Sequence, residues 1–475
     1  MRRVLPSVTF NLPEARGRTV VSEPGEWRPP SSRLASGVAR ADITPPVGTP
    51  TRNWAAARSQ VSSGVHRPLT VTVWAIVAGD GSRGAVVSLD LGWWRTGADE
   101  RRVRERVLSA SGLSDLELLL HLTHTHAGPY LHPEPDSEAA TLVEDYLNGL
   151  ADTVASTVRE AFAGAVPSVV TWGRGWCGLA VNRDLPAGDR EVIAFNPNRE
   201  ADGTVVVGRV TDSDGGVLAV IVNYACHPTT LSYPNTLTSP DWVGAAREVV
   251  EQASGAPCLF LQGASGDQSP RDQATGDTAV ADANGRQLGH AVLSVLHGLP
   301  APAARLMRDG VVESGAPLGL WASAPFAPDP TVRFSREEID LELASARVPD
   351  TDDVVTRERA LRKSLLSAEY VRDGRGVHPL WVWRLGDAAI VAHPGEAYSA
   401  FQRSLREAHS DQAVVVMNCT NGPGFVYLPA ASDYRTQKYP VWQTLVGPGS
   451  LERLTDAAAR RLDAVFASDE VTGAQ

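Results

Sequence analysis

Apolar residues fall along this chain in short β-branched runs that alternate with stretches of three-to-four spacing. The runs VTVWAIVAG (71–79) and GAVVSLDLG (84–92) predict strands, the spacing near 98–111 a helix, and LELLLHL (116–122) another strand. From 140 to 163 apolar positions recur at helical intervals and predict one long helix. VLAVIVNYACH (217–227) and PCLFLQG (257–263) predict buried strands with the helix DWVGAAREVVEQ between them. A charged, amphipathic stretch near 335–372 predicts an inserted helical hairpin. WVWRLGDAAIVAHPGEAYSAF (381–401) predicts two short strands running into a helix that begins near Glu396, and a last helix spans 450–466. The rhythm is α/β, with mixed β-sheets flanked by helices in a single large domain over 36–475. Residues 1–35, rich in Pro, Arg, Ser and Glu and without periodicity, predict an extended or poorly ordered arm, with order beginning near Val38.

Composition narrows the function. A net charge of −11 and a pI near 5.5 exclude a nucleic-acid partner, which calls for a basic patch. The arginines of DERRVRERV (99–107) alternate with acids and read as a solvated helix face. Cys177, Cys226, Cys258 and Cys419 lie far apart, with no CxxC pair, and read as buried thiols. The first twenty residues lack the apolar core of a secretory signal and no run reaches the ~20 apolar residues of a membrane span, so a cytoplasmic protein without a transmembrane segment is expected.

The candidate chemistry sits at strand ends. His124 and His126 are two apart where a strand runs into Gly128-Pro129, and alternation along a strand would aim both at one cleft. In open α/β sheets ligands collect beyond the carboxyl ends of strands. His227 closes a second apolar strand and is again followed by proline, and Glu396 stands at a third junction. A catalytic zinc takes about three such ligands and leaves one position open. Taken singly, each has a plainer reading: a histidine as a hydrogen-bonded core residue, a glutamate as a solvated one.

In this order the segments THTHAGP, NYACHPTT, LQGASGDQSP and HPGEAY resemble the catalytic domain of neutral/alkaline (non-lysosomal) ceramidases, zinc-dependent amidases that cut the N-acyl bond of ceramide. VARADITPP, SGVHRPL and VVSLDLG are similar to that family's N-terminal strands. The resemblance implies one Zn2+ per chain held by His124, His227, Glu396 and Tyr427. It implies active-site roles for His126, Arg183, Tyr439 and His66. Attack on an amide carbonyl by metal-activated water follows, with Tyr439 or Arg183 beside the developing oxyanion and His126 shuttling a proton to the leaving amine.

Around these residues, Asp267 is expected to orient a ligand or its loop, Asp241 to cap the following helix, and His121, out of phase with the pair, to be structural. Of the twelve tryptophans, the adjacent Trp93 and Trp94 and the alternating Trp381 and Trp383 are candidates for an acyl pocket or for the core. The family's immunoglobulin-like C-terminal domain and secretory signal find no counterpart, and TRNWAAA and AGPY depart from its loops near the substrate. The expected function is therefore hydrolysis of an N-acyl amide, either a ceramide-like sphingolipid or a smaller soluble amide. The alternatives are an esterase or amide-forming enzyme of specialised metabolism, and a ligand-binding homologue without turnover.

Overall fold

The computed structural model describes residues 25–94, 96–131, 137–344, 353, 356–357, 360, 363–364, 369–424, 426–436 and 438–467. Eight strands pair into one mixed sheet: β1 (Ser31–Asp42), β2 (Thr70–Val77), β3 (Arg83–Leu89), β4 (Leu118–Leu122), β5 (Val166–Trp176), β6 (Thr204–Asp212), β7 (Val217–Tyr224) and β8 (Cys258–Gln262). Their order is β8-β7-β6-β5-β1-β2-β3-β4. The end pairs β7–β8 and β3–β4 are parallel, and the pairs between them antiparallel. Helices α1 (Gly97–Ser111) and α2 (Glu138–Ala163) bury their apolar stripes on one half of the outer face, with Val103, Leu147 and Val154 against Val73, Val87 and Leu120. Gly37 of β1 permits this approach, because a Cβ there would stand 1.8 Å from the Ala161 carbonyl oxygen. Helices α3 (Trp242–Ser254) and α4 (Thr278–Gly298) cover the other half.

A second sheet packs on the inner face. It comprises β9 (Val332–Leu341), β10 (Arg375–Leu385), β11 (Ala388–Ala392) and β13 (Ala413–Met417), in the order β9-β10-β11-β13, with the short strand Val371–Arg372 on β10. Between β11 and β13 runs the two-residue strand β12 (Glu396–Ala397). Trp381, Trp383, Ile390 and Val415 meet Trp74, Val86, Trp172 and Ile221 across the interface. Helices α5 (Ala400–Ala408) and α6 (Ser450–Ala467) cover the far face, giving four layers around buried apolar seams.

The inner sheet also draws the edges of the outer one together. Ser88 Oγ of β3 donates to the Phe260 carbonyl of β8 at 2.7 Å, and the Gln262 amide donates to His121 Nε2 at 2.9 Å. The segment after β13 bonds to both edges: Asn418 N to Gln262 O at 3.0 Å, and Leu122 N to Cys419 O at 3.1 Å. The ends of β4, β7 and β8 therefore open onto one place, although β4 and β8 lie at opposite edges of the sheet.

Three expectations are corrected. Order begins before residue 35, since Ser31–Ser36 pairs with Val166–Thr171 and Glu26–Trp27 with Leu306–Met307; a polar composition hid a strand whose partners are remote. Residues 1–24 lie outside the described residues. The first part of the stretch at 335–372 is strand β9 rather than helix, its charges Arg336, Glu338 and Asp340 alternating along an exposed face beside Arg372 and Arg375; most of 345–368 lies outside the described residues. The helix expected at Glu396 begins at Ala400, because Glu396 and Ala397 pair in register with Tyr427 and Leu428.

Candidate active site

Strand β4 ends two residues before His124, whose backbone turns to φ +71°. Such a left-handed, non-glycine residue costs about 1–3 kcal/mol and persists only where its surroundings fix it. Here the His124 amide donates to Leu91 O at 2.9 Å and its Nδ1 donates to Gly92 O at 2.8 Å. This turn, and not strand alternation, brings His124 and His126 to one cavity, with ring centroids 4.9 Å apart and planes at 84°. His227, beyond the end of β7, is held by its amide to Gln268 O at 3.0 Å and by Nδ1 to Ser265 O at 2.7 Å. A backbone acceptor at Nδ1 fixes the tautomer, so each Nε2 presents a lone pair.

Glu396 and Tyr427 arrive side by side because β12 pairs in parallel with β14 (Tyr427–Leu428). Glu396 Oε2 lies 3.1 Å from His227 Nε2 and 3.3 Å from His124 Nε2. The Tyr427 hydroxyl lies 3.4 Å from His227 Nε2 and accepts from Arg183 Nη2 at 3.0 Å. Arg183 also donates to Gly266 O at 2.9 Å. The sequence-expected ligand quartet is thus brought together on buried backbone, with Arg183 beside it.

Electrostatics favour cation binding. Burial pushes the Glu396 carboxyl up, but His124 and His227 outweigh it and hold the group well below the usual carboxylate range. Burial, then Arg183, pushes His227 down to about 3; burial, then His124 and His227, lowers His126 well below 6.5. Burial also lowers His124, yet Cys419 and Glu396 outweigh it and raise the group above its ordinary value. Burial thus favours the neutral forms of His126 and His227, and the Glu396 carboxylate that favours positive charge at His124 would favour a divalent cation in its place. His124 Nε2, Glu396 Oε1 and both ring nitrogens of His126 make no hydrogen bond among the described residues. The donor atoms of His124, His126 and His227 lie within 4.8 Å of one another. Buried polar atoms of this kind are ordinarily satisfied, so a cluster left open and converging fits a metal ion.

The model of the neutral/alkaline non-lysosomal ceramidase family, N-terminal, matches residues 35–278, just over half of the chain. The chain belongs to this family. Its fold is similar to that of neutral ceramidase from Pseudomonas aeruginosa, with 18% identity and a TM-score of 0.68 over 94% of this chain and 76% of that one. It is likewise similar to a structure of ceramidase complexed with C2, with 17% identity and a TM-score of 0.67 over 94% of this chain and 77% of that one.

Within this ceramidase fold His124, Glu396 and Tyr427 line a cavity of about 380 Å3, with His227 directly behind them, and its walls include Trp54, Trp93, Ile193, Tyr233 and Tyr439. Trp54 and Trp93 flank His126, each with a ring centroid 5.1 Å from it. Tyr439 meets Tyr427 edge-on at 5.7 Å and stacks with Trp442. His66 Nδ1 bonds to Ser239 Oγ at 2.9 Å and its Nε2 faces Asp282 at 3.2 Å.

Asp267 accepts from the Ser399 amide and hydroxyl at 2.7 and 2.9 Å, tying the loop after β8 to the turn that follows Glu396. Gly266 lies so close that a Cβ would stand 2.7 Å from Glu396 O. Asp241 caps α3 and also accepts from Leu231 N at 2.8 Å. His121 is structural, its Nδ1 donating to Asn418 O at 3.0 Å. Trp93 lines the cavity while Trp381 and Trp383 are core. Trp54 had only its place in the divergent loop TRNWAAA to signal it. No described helix is long and apolar enough to cross a membrane.

Proposed function

We propose that this member of the ceramidase family is a zinc-dependent amidohydrolase that cleaves an N-acyl amide, ceramide-like or smaller and more soluble. The observation that carries the reading is the convergence of His124, His227, Glu396 and Tyr427, with unsatisfied buried donor atoms, at the base of a cavity with aromatic walls that His124, Glu396 and Tyr427 line. Those four residues would hold the zinc, which when bound acidifies a water and polarises a carbonyl.

The chain's own residues supply the rest. The walls Trp54, Trp93, Ile193, Tyr233 and Tyr439 offer apolar surface for an acyl group. Arg183, a cation kept buried beside Tyr427, faces the place where negative charge develops on the amide oxygen, and Tyr439 offers a second donor. The water oxygen bonds to the acyl carbon and the C–N bond breaks. His126, uncharged and with both ring nitrogens unsatisfied, takes the water proton and delivers it to the leaving nitrogen.

The test is metal content of the purified protein by elemental analysis, together with hydrolysis of a fluorogenic N-acyl amide and its matched ester before and after chelation. About one zinc per chain, with amide cleavage lost on chelation and restored by zinc, is expected. Zinc without amide cleavage would overturn the hydrolytic reading, and absence of zinc binding would overturn the ligand set.

A further inference from the structure

Next to the site lies a buried ion cluster that the chemistry above does not use. Lys438 Nζ stands 2.9 Å from Asp184 Oδ2, 2.8 Å from Asp433 Oδ1 and 2.9 Å from Glu191 Oε2. Its side chain is only 2% exposed. Arg199, at the cluster's wet edge, lies 3.6 Å from Asp184 and 3.5 Å from Asp433. The hydroxyl of Tyr398 donates to Asp184 Oδ2 at 3.1 Å.

The cluster's members are chain neighbours of the groups that face the substrate. Asp184 follows Arg183, Lys438 precedes Tyr439, and Tyr398 stands two residues beyond Glu396. Lys438 also occupies the residue before the five-residue helix Tyr439–Gln443, whose Tyr439 and Gln443 line the cavity. So short a helix has no stability of its own, and the turn before it, Ala431–Arg435, is a single 3-10 segment. What fixes Tyr439 against Arg183 is therefore long-range. Burying one ammonium among three carboxylates is expensive and adds little net stability over an apolar core of equal volume. Its specific consequence is registry: the ammonium meets Asp184 and Asp433 in one geometry, so the backbone at 183–184 and at 438–439 is held in one relation.

We propose that Lys438 is a positioning residue for the amidase reaction, clamping Tyr439 against Arg183 through Asp184, Asp433 and Glu191. The proposal rests on the amidohydrolase reading. A lost clamp leaves zinc in place and misdirects Tyr439, and a misplacement of about 1 Å in a reacting site is enough to lower turnover by about 100-fold.

The experiment is a cycle of Lys438→Met, Tyr439→Phe and the double variant, measured as kcat and KM on an N-acyl amide, with zinc content determined for each. Alongside it, amide hydrogen exchange is followed over residues 429–443. Lys438→Met is expected to lower kcat by about 10- to 100-fold with KM and zinc little changed, and to add less than about threefold once Tyr439 is already Phe. Exchange over 429–443 should quicken at least about tenfold while β7 and β8 keep their protection. Should Lys438→Met fail to fold, Lys438→Met combined with Asp433→Asn removes one charge of each sign and takes its place. Full kcat in the variant, losses that multiply with Tyr439→Phe, or unchanged exchange over 429–443 would each overturn the proposal. If the wild-type protein cleaves no amide, the amidohydrolase reading fails on its own, and the exchange measurement still decides whether Lys438 holds this segment.

Discussion

Glu396→Gln keeps the shape of the side chain and removes its charge. In the metal-free chain the new amide meets no lost partner at Oε1, which makes no hydrogen bond among the described residues. With metal bound, the variant has lost an anionic ligand. Loss of a partner one shell further out costs about 10–100-fold in metal affinity, so loss of a direct ligand should cost at least about 100-fold, or ~2.8 kcal/mol. At free zinc ~1,000 times the wild-type Kd, binding stabilises the wild type by about 4.1 kcal/mol; at the same zinc the variant, with a ratio of ~10, gains about 1.4 kcal/mol. A chain of 475 residues shifts its Tm by on the order of 1–2 °C per kcal/mol. The zinc-induced rise of about 4–8 °C in the wild type should therefore shrink to about 1–3 °C. Thermal denaturation of chelated protein, repeated across a zinc titration with elemental analysis at each point, reads this directly. A Glu396→Gln protein that holds one zinc per chain and shows the undiminished rise would refute the assignment of Glu396 as a ligand.

Two other expectations follow from the same geometry. Tyr439→Phe should lower turnover by about 10²–10³-fold, the effect of deleting one donor to a developing oxyanion, and leave zinc content unchanged; zinc loss in that variant would place Tyr439 among the ligands instead. His121 is pushed down to about 3 by burial, against an ordinary value of 6.5, and its Nε2 accepts from Gln262 N. Between those values the unfolded chain binds more protons than the folded one, so stability fully present above pH ~6.5 is lost as pH falls toward 3. The urea midpoint of metal-free protein should be lower at pH 5 than at pH 7, and the difference should narrow in His121→Gln; a midpoint that does not fall on acidification would show that this imidazole is not buried neutral.

Much of the scaffold was legible because its strands are unbroken apolar runs. β2, β3, β4, β7 and β8 are each buried almost throughout, so short, nearly continuous apolar runs announced them. β9 failed that reading, since an edge strand carrying Arg336, Glu338 and Asp340 on its exposed face has the charge density of a surface helix. The site was legible in another way. His124, His227 and Glu396 drew notice as chemistry-bearing residues at strand ends, yet no local pattern states that Glu396 pairs with Tyr427, or that β4 and β8 meet although they lie at opposite edges of the sheet.

Those are facts of tertiary closure, and a motif can stand in for them only where a similar fold has already brought the segments together. His66 shows what a motif leaves open: SGVHRPL carries the residue type, and only the fold turns its ring to Ser239 and Asp282. The proposed ligand quartet meets at one point in space, so identity and order of its members carry that meeting. A residue at the rim answers only to its nearest neighbours. Trp54, packed against His126 from the loop TRNWAAA, is such a residue, and the amide preference proposed for this chain would be set by neighbours of that kind.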